Sequence, residues 1–303
     1  MQRRWGLHRR LAVGTMVALA TVAPAGVAQA APTADATCDS LVPFARENFS
    51  DPTRIDNEYL PFVPGTRLTY EGRANRGGGA LPHEVVFTIT DLTKVVDGVT
   101  TRVVHDVDVN EGEVAEEELA FFAQDDAGNV WNLGEYPEEY EDGAFVGAPD
   151  VWISGIDGAI GGIHMPADPE ALLNGPEYLQ GEAPAIDFLD CARVVGTNGT
   201  VDVPAGHFRD VLTTHERSPL ESDTAIQVKD HAPGVGIVRV GAINDPEDET
   251  LVLTRVEQLG PADRAAVDAQ AIRLDVHGHE VSDVYRQTPY VRVATGGLVQ
   301  RNG

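Results

Sequence analysis

Residues 84–109 read EVVFTITDLTKVVDGVTTRVVHDVDV, and this stretch decides the fold class. In its first half Val85, Phe87 and Ile89 share one face. In its second half Val103, His105, Val107 and Val109 keep the same rhythm of two. A period of two puts every second side chain on one face of a strand, whereas a helical stripe recurs every three or four residues. Between the halves stands Asp97-Gly98, a pair suited to the positive φ angles of a two-residue type I′ turn. The stretch predicts an antiparallel hairpin.

The rhythm spreads outward in both directions. Residues 66–70 precede the hairpin, and 114–124 follow it with Leu119 and Phe121 on one face. A turn at Asp126-Ala127-Gly128-Asn129 leads into 130–133. Residues 136–187, rich in Gly and Pro, read as loops around a short strand at Val151-Trp152-Ile153. Regular alternation returns over 192–203, where Asn198-Gly199 reads as a second type I′ turn, and then over 208–216, 225–229, 236–240 and 251–258. Strands without alternating helices point to a mainly β fold: a curved antiparallel sheet or half-barrel meander over residues 65–260. Residues 31–64, punctuated by Pro43, Pro52, Pro61 and Pro64, read as an irregular N-terminal segment.

The end of the chain changes period. From Pro261, Val267, Ala271, Leu274, Gly278, Val281 and Tyr285 recur at spacings of four and three, one face of an amphipathic helix. Residues 261–303 are therefore expected to be a C-terminal helix and tail on the same domain. Its Val267–Leu274–Val281 stripe is expected to cover the concave face of the sheet.

Residues 1–30 read as a secretory signal peptide. Arg3, Arg4, Arg9 and Arg10 precede an apolar run over 11–23, and Ala28-Gln29-Ala30 forms a small-x-small cleavage site. The run, broken at Pro24 and Gly26, is too short to span a bilayer. Export to an oxidising compartment makes Cys38 and Cys191 a disulfide candidate, closing a long loop. The expected location is extracellular or cell-wall associated.

Charge narrows the function classes. There are 48 Asp and Glu against 22 Lys and Arg, a formal net charge of −26. Nucleic acid and anionic membrane surfaces are poor partners for such a chain. The hydrophobic share of 42% is that of a folded protein.

Three phrases carry a resemblance. The first is Phe49-Ser50-Asp51-Pro52 with Ile55-Asp56-Asn57, Tyr59-Leu60-Pro61 and Pro64-Gly65. The second is Phe122-Ala123-Gln124-Asp125 with Gly128-Asn129-Val130-Trp131 and Gly134-Glu135. The third is Val203-Pro204-Ala205-Gly206 with Phe208 and Ala232-Pro233-Gly234-Val235-Gly236. Together they resemble a family of secreted bacterial proteins of unknown function, over most of residues 45–258. The third phrase is also similar to envelope half-barrels, lipoprotein carriers of the LolA type, which implies a fold only. Asp230-His231 stands where that pattern has tyrosines. The resemblance carries over no catalytic residue.

Motifs for chemistry are few. Asp106 to Gly112 spaces its acids like a calcium loop, but its glycine comes one residue late and the segment continues a strand, so a solvated acidic face is expected. Asp125, Asp126 and Glu135 near Trp131 are the carboxylates a hydrolase would use. His277 and His279 project about 200° apart on a helix and make no metal pair. The acidic runs at 116–118, 137–142 and 245–249 read as solvating surface. No metal or cofactor set is visible, and a monomer is expected.

The leading expectation is an exported, non-enzymatic protein binding a lipid or other apolar or amphipathic small molecule in its curved sheet. The candidate lining is Trp131, Trp152, His164 and Met165. The alternatives are an extracellular hydrolase using the carboxylates near Trp131, and a cell-wall interaction or structural protein with no small ligand.

Overall fold

The computed structural model describes residues 38–75, 79–220 and 224–294. The leader expected over residues 1–30 lies outside the described residues.

The hairpin read from residues 84–109 is present. Asp97 and Gly98 take φ angles of 46° and 79°, and Val96 pairs with Val99 across the turn. It joins β2 (Ala80–Val96) to β3 (Val99–Asn110). Around it lie β1 (Thr66–Asn75), β4 (Glu113–Gln124), β5 (Val130–Glu141), β6 (Ala144–Gly147), β7 (Trp152–Ile153) and β8 (Ile160–Met165). Further on come β9 (Tyr178–Ala183), β10 (Phe188–Val203), β11 (Gly206–Arg217), β12 (Ile226–Ala232), β13 (Gly236–Ile243) and β14 (Thr250–Gln258). The helix α1 (Pro261–Val281) and the short β15 (Arg292–Val293) follow.

The sheet is antiparallel and curves until it closes. Its order is β1-β14-β13-β12-β11-β10-β9-β8-β5-β4-β3-β2, and β2 then pairs with β1. Tyr70 sits between Val85 on one side and Leu253 on the other. Closure removes the unpaired edges that an open half-barrel would leave.

Two local expectations are corrected. Asn198-Gly199 is not a hairpin turn. Asn198 has φ 56°, yet β10 runs on past it with register shifts and turns back to β11 only after Val203, which pairs with Gly206. A type I′ turn needs two successive positive φ angles; one makes a bulge. The central stretch 136–187 is richer in strand than expected, holding the end of β5 together with β6, β8 and β9. Its glycines mark close approach: a Cβ on Gly162 would lie 2.5 Å from the Gln180 backbone, and one on Gly181 would lie 3.0 Å from Trp152.

Alternation gives the barrel two distinct faces. Leu119, Phe121 and Tyr136 lie on the outside, where the Tyr285 ring sits 4.3 Å from Tyr136 and 6.1 Å from Phe121. Helix α1 packs here, burying Val267, Ala271, Leu274 and Gly278, while Val281 stays exposed. Burial of Val267 and Leu274 stabilises by roughly 1.5–3 kcal/mol each. The expected stripe docks without Val281, and on the outer face. The concave face is already enclosed by closure of the sheet, so the outer apolar strip on β2 and β4 is what needs cover.

A Cys38–Cys191 disulfide, with Cα atoms 6.0 Å apart, fastens the start of the described chain to β10. Beyond it, the Asn57 side chain donates to the carbonyls of Gly128 and Pro166, and Phe62 packs on Phe87 and Phe122. The first phrase thus supplies Asn57 to this closure, and Phe62 directly follows its Tyr59-Leu60-Pro61.

Candidate functional site

Inward alternation builds the site. Where Phe121 points out, Phe122 points in, its ring 5.4 Å from His164 of β8. Glu135 of β5, Glu216 of β11 and Lys229 of β12 also turn inward and, with His164, line a cavity of about 240 Å³. Val85, Val240 and Leu251 form an apolar strip on its wall; Val240 and Leu251 are direct cross-strand partners.

The charged centre is a pair on adjacent strands. Lys229 Nζ lies 2.6 Å from Glu216 Oε2, and Thr214 donates to Glu216 Oε1 at 3.2 Å. Burial alone would push the Glu216 carboxyl up; Lys229, with His164 and His231 nearby, instead holds it at about 2. Burial would likewise lower Lys229, and Glu216 reverses this, so the ammonium is held above its ordinary value. Both groups are ionised at neutral pH.

Two histidines that are isolated in sequence meet around this pair. Burial lowers His164 to about 4 and His231 to about 3, the nearby lysine adding to the effect in each. Both are neutral imidazoles at neutral pH. His231 Nε2 lies 3.2 Å from Thr214 Oγ1. The His164 ring has no hydrogen-bond partner among the described residues, and it faces the cavity.

A second polar cluster adjoins the cavity through Glu249. His83 Nδ1 lies 3.0 Å from Asp108 Oδ1, and Nε2 lies 3.0 Å from Glu249 Oε1. Burial opposes a charge on His83, but the two carboxylates outweigh it and raise the imidazole to about 10. Asp106 is raised to about 7, by burial first and by Asp108 second. The expected solvated acidic face of residues 106–112 is therefore corrected: Asp108 is buried, because these acids occupy inward positions of β3. The acidic runs are corrected likewise, since Glu116, Glu138 and Glu249 are buried. Among the described residues, no three His, Cys, Asp or Glu side chains are grouped to hold a metal ion.

The sequence-derived candidates separate. His164 lines the cavity. Trp152 stands one step behind it, donating from Nε1 to Glu135 Oε2 at 3.0 Å and stacking on Phe188. Trp131 lies in the hydrophobic core against Phe44 and Phe49, and Met165 is buried in the same core. The carboxylates near Trp131 divide as well. Asp125 accepts from Trp131 Nε1, Asn129 and the Ala127 backbone, Asp126 accepts from Ser50, and Glu135 faces the cavity. His277 and His279 point to different partners, Glu138 and the Thr288 carbonyl.

Glu216, Lys229 and Gln180, which also lines the cavity, are missed by the sequence reading. A signal for Lys229 was present: the chain has two lysines, and Lys229 lies within a strand of alternating residues.

No protein-family model matches the chain, and none of the curated proteins is a significant match. Two solved structures are similar to it. One is a protein described as exported, with YmcC-like fold, from Bacteroides fragilis (TM-score 0.36, 15% identity, covering 66% of this chain and 99% of that one). The other is a protein described as a lipoprotein from Parabacteroides distasonis (TM-score 0.32, 14% identity, again 66% and 99%).

Proposed function

We propose that this is an exported, non-enzymatic binding protein that holds a small amphipathic molecule inside its barrel. Export is supported by the leader-like residues 1–30 and by the disulfide, which suits an oxidising compartment. The observation that carries the binding reading is the cavity itself. It combines an apolar strip with a neutral His164 ring that has no hydrogen-bond partner among the described residues, and such a mixture fits binding sites better than packed cores. At about 240 Å³ the cavity falls below the ~300–1,000 Å³ of pockets that hold drug-sized ligands. That is too little for a diacyl lipid.

Native mass spectrometry of the gently purified exported protein tests this. A retained small molecule that is lost from a lumen-filling Val240→Phe variant of unchanged thermal midpoint is the expected result. A bare polypeptide mass, with no small amphiphile raising the midpoint, overturns it.

A further inference from the structure

We propose that the lumen takes a short aliphatic amine, a diamine or triamine, its length limited by a cavity of about 240 Å³. Its ammonium groups meet the wall carboxylates and its methylenes lie on the apolar strip. This rests on the binding reading above and adds the ligand's charge.

Charge is the first argument. Glu135, Glu216, Asp187, Asp190 and Glu247 are among the acids lining the cavity, against Lys229 and Arg217. Arg217 already donates to both oxygens of Glu177, at 2.7 and 2.6 Å. A wall with more acids than bases favours a cation, most strongly at Glu135 and Glu216, which are buried and therefore less screened than in water.

His164 is the second argument, independent of the acids. A neutral imidazole carries one lone pair and one N–H. Turned to the cavity with no hydrogen-bond partner among the described residues, it accepts from an ammonium N–H and adds no positive charge to repel it.

Arrangement is the third. A compact metal ion needs oxygens converging on one point at roughly 2.3–2.6 Å for calcium. Here the lining acids named above are spread over β5, β10, β11 and the loops before β10 and β14, while Val85, Val240 and Leu251 come from β2, β13 and β14. An elongated cation with methylene segments fits that spacing of charge and hydrocarbon.

The test is isothermal titration of the exported protein with diaminooctane, the isosteric octanediol, and octanedioate, at low and raised salt. The expected result is that the diamine binds at least ~10-fold tighter than the diol, that salt narrows the difference, and that the dioate is weakest. Glu216→Gln should remove most of the preference for the diamine over the diol. Should that variant fail to fold because Lys229 loses its partner, Asp187→Asn with Glu247→Gln leaves the ion pair intact and should weaken the diamine selectively by roughly 3-fold or more. Equal binding of diamine and diol, or tighter binding of the dioate, overturns the amine assignment and leaves the lumen-binding reading standing. If none of the three binds and the native mass is bare, both fall.

Discussion

Lys94 Nζ lies 2.8 Å from Asp275 Oδ1 beneath the C-terminal helix, and both side chains are shut off from solvent. Asp275 also accepts from the Tyr285 hydroxyl at 2.8 Å and from the Val291 backbone at 3.1 Å, while Lys94 donates to the Pro289 carbonyl at 2.7 Å. One carboxylate thus ties β2, α1 and the segment after α1 together. Asp275→Ala is expected to cost about 3–5 kcal/mol, because it leaves a buried ammonium without its counter-ion. Pairing it with Lys94→Met should recover much of the loss. Denaturant unfolding of the two variants checks this, and a double variant no better than the single one refutes it.

Gly278 sits inside α1, where alanine would ordinarily gain about 1 kcal/mol in helix propensity. A Cβ there would lie 2.7 Å from ring carbons of both Tyr136 and Tyr285. Both rings are fully buried and cannot swing away, so overpacking of roughly 1–3 kcal/mol wins. Gly278→Ala should lower the thermal midpoint. A raised midpoint would mean the helix can shift outward.

The disulfide spans a sequence separation of 153. In the chain-entropy model a loop of this size stabilises by about 5 kcal/mol. Cys38→Ser with Cys191→Ser should lose up to that amount and speed proteolytic cleavage within residues 38–54, where the Asp39–Tyr178 bridge is a further tie to β9. Unchanged stability and cleavage would show that the loop is already restrained in the unfolded chain.

Acid sensitivity should come from the lumen. His164 and His231 titrate near 6.5 when unfolded but only at about 4 and about 3 when folded, so the unfolded chain binds two more protons between. Asp106, raised to about 7, opposes them by one proton over part of that range. Stability therefore falls as pH falls from roughly 6 to 4.5, at about 1.4 kcal/mol per pH unit for the one-proton difference. His164→Gln should flatten this slope. Chemical denaturation across that window measures it, and an unchanged slope in the variant removes His164 from the account.

Much of this molecule is local in origin. Strand rhythm, the Asp97-Gly98 turn, the spacing of the helix stripe and the Cys38–Cys191 candidate pair can each be read from the sequence, because period and turn chemistry depend on near neighbours. Trp131, Trp152, His164 and Met165 are large or polar groups that the sequence suggests as a cavity lining, but size and hydrophobicity do not tell on which side of the sheet each lies, and only His164 lines the cavity. The inward orientation of Glu216 and Lys229, and the neutral state of His164, arise from what surrounds them. Asn198-Gly199 shows the same limit, since the turn signal is local while register with β11 makes it a bulge. Closure of β1 on β2, and the meeting of β8, β11 and β12 around one cavity, depend on contacts between residues far apart in the chain. Only when those contacts exclude water do a lysine, a glutamate and two histidines acquire the charge states that make the lumen a site.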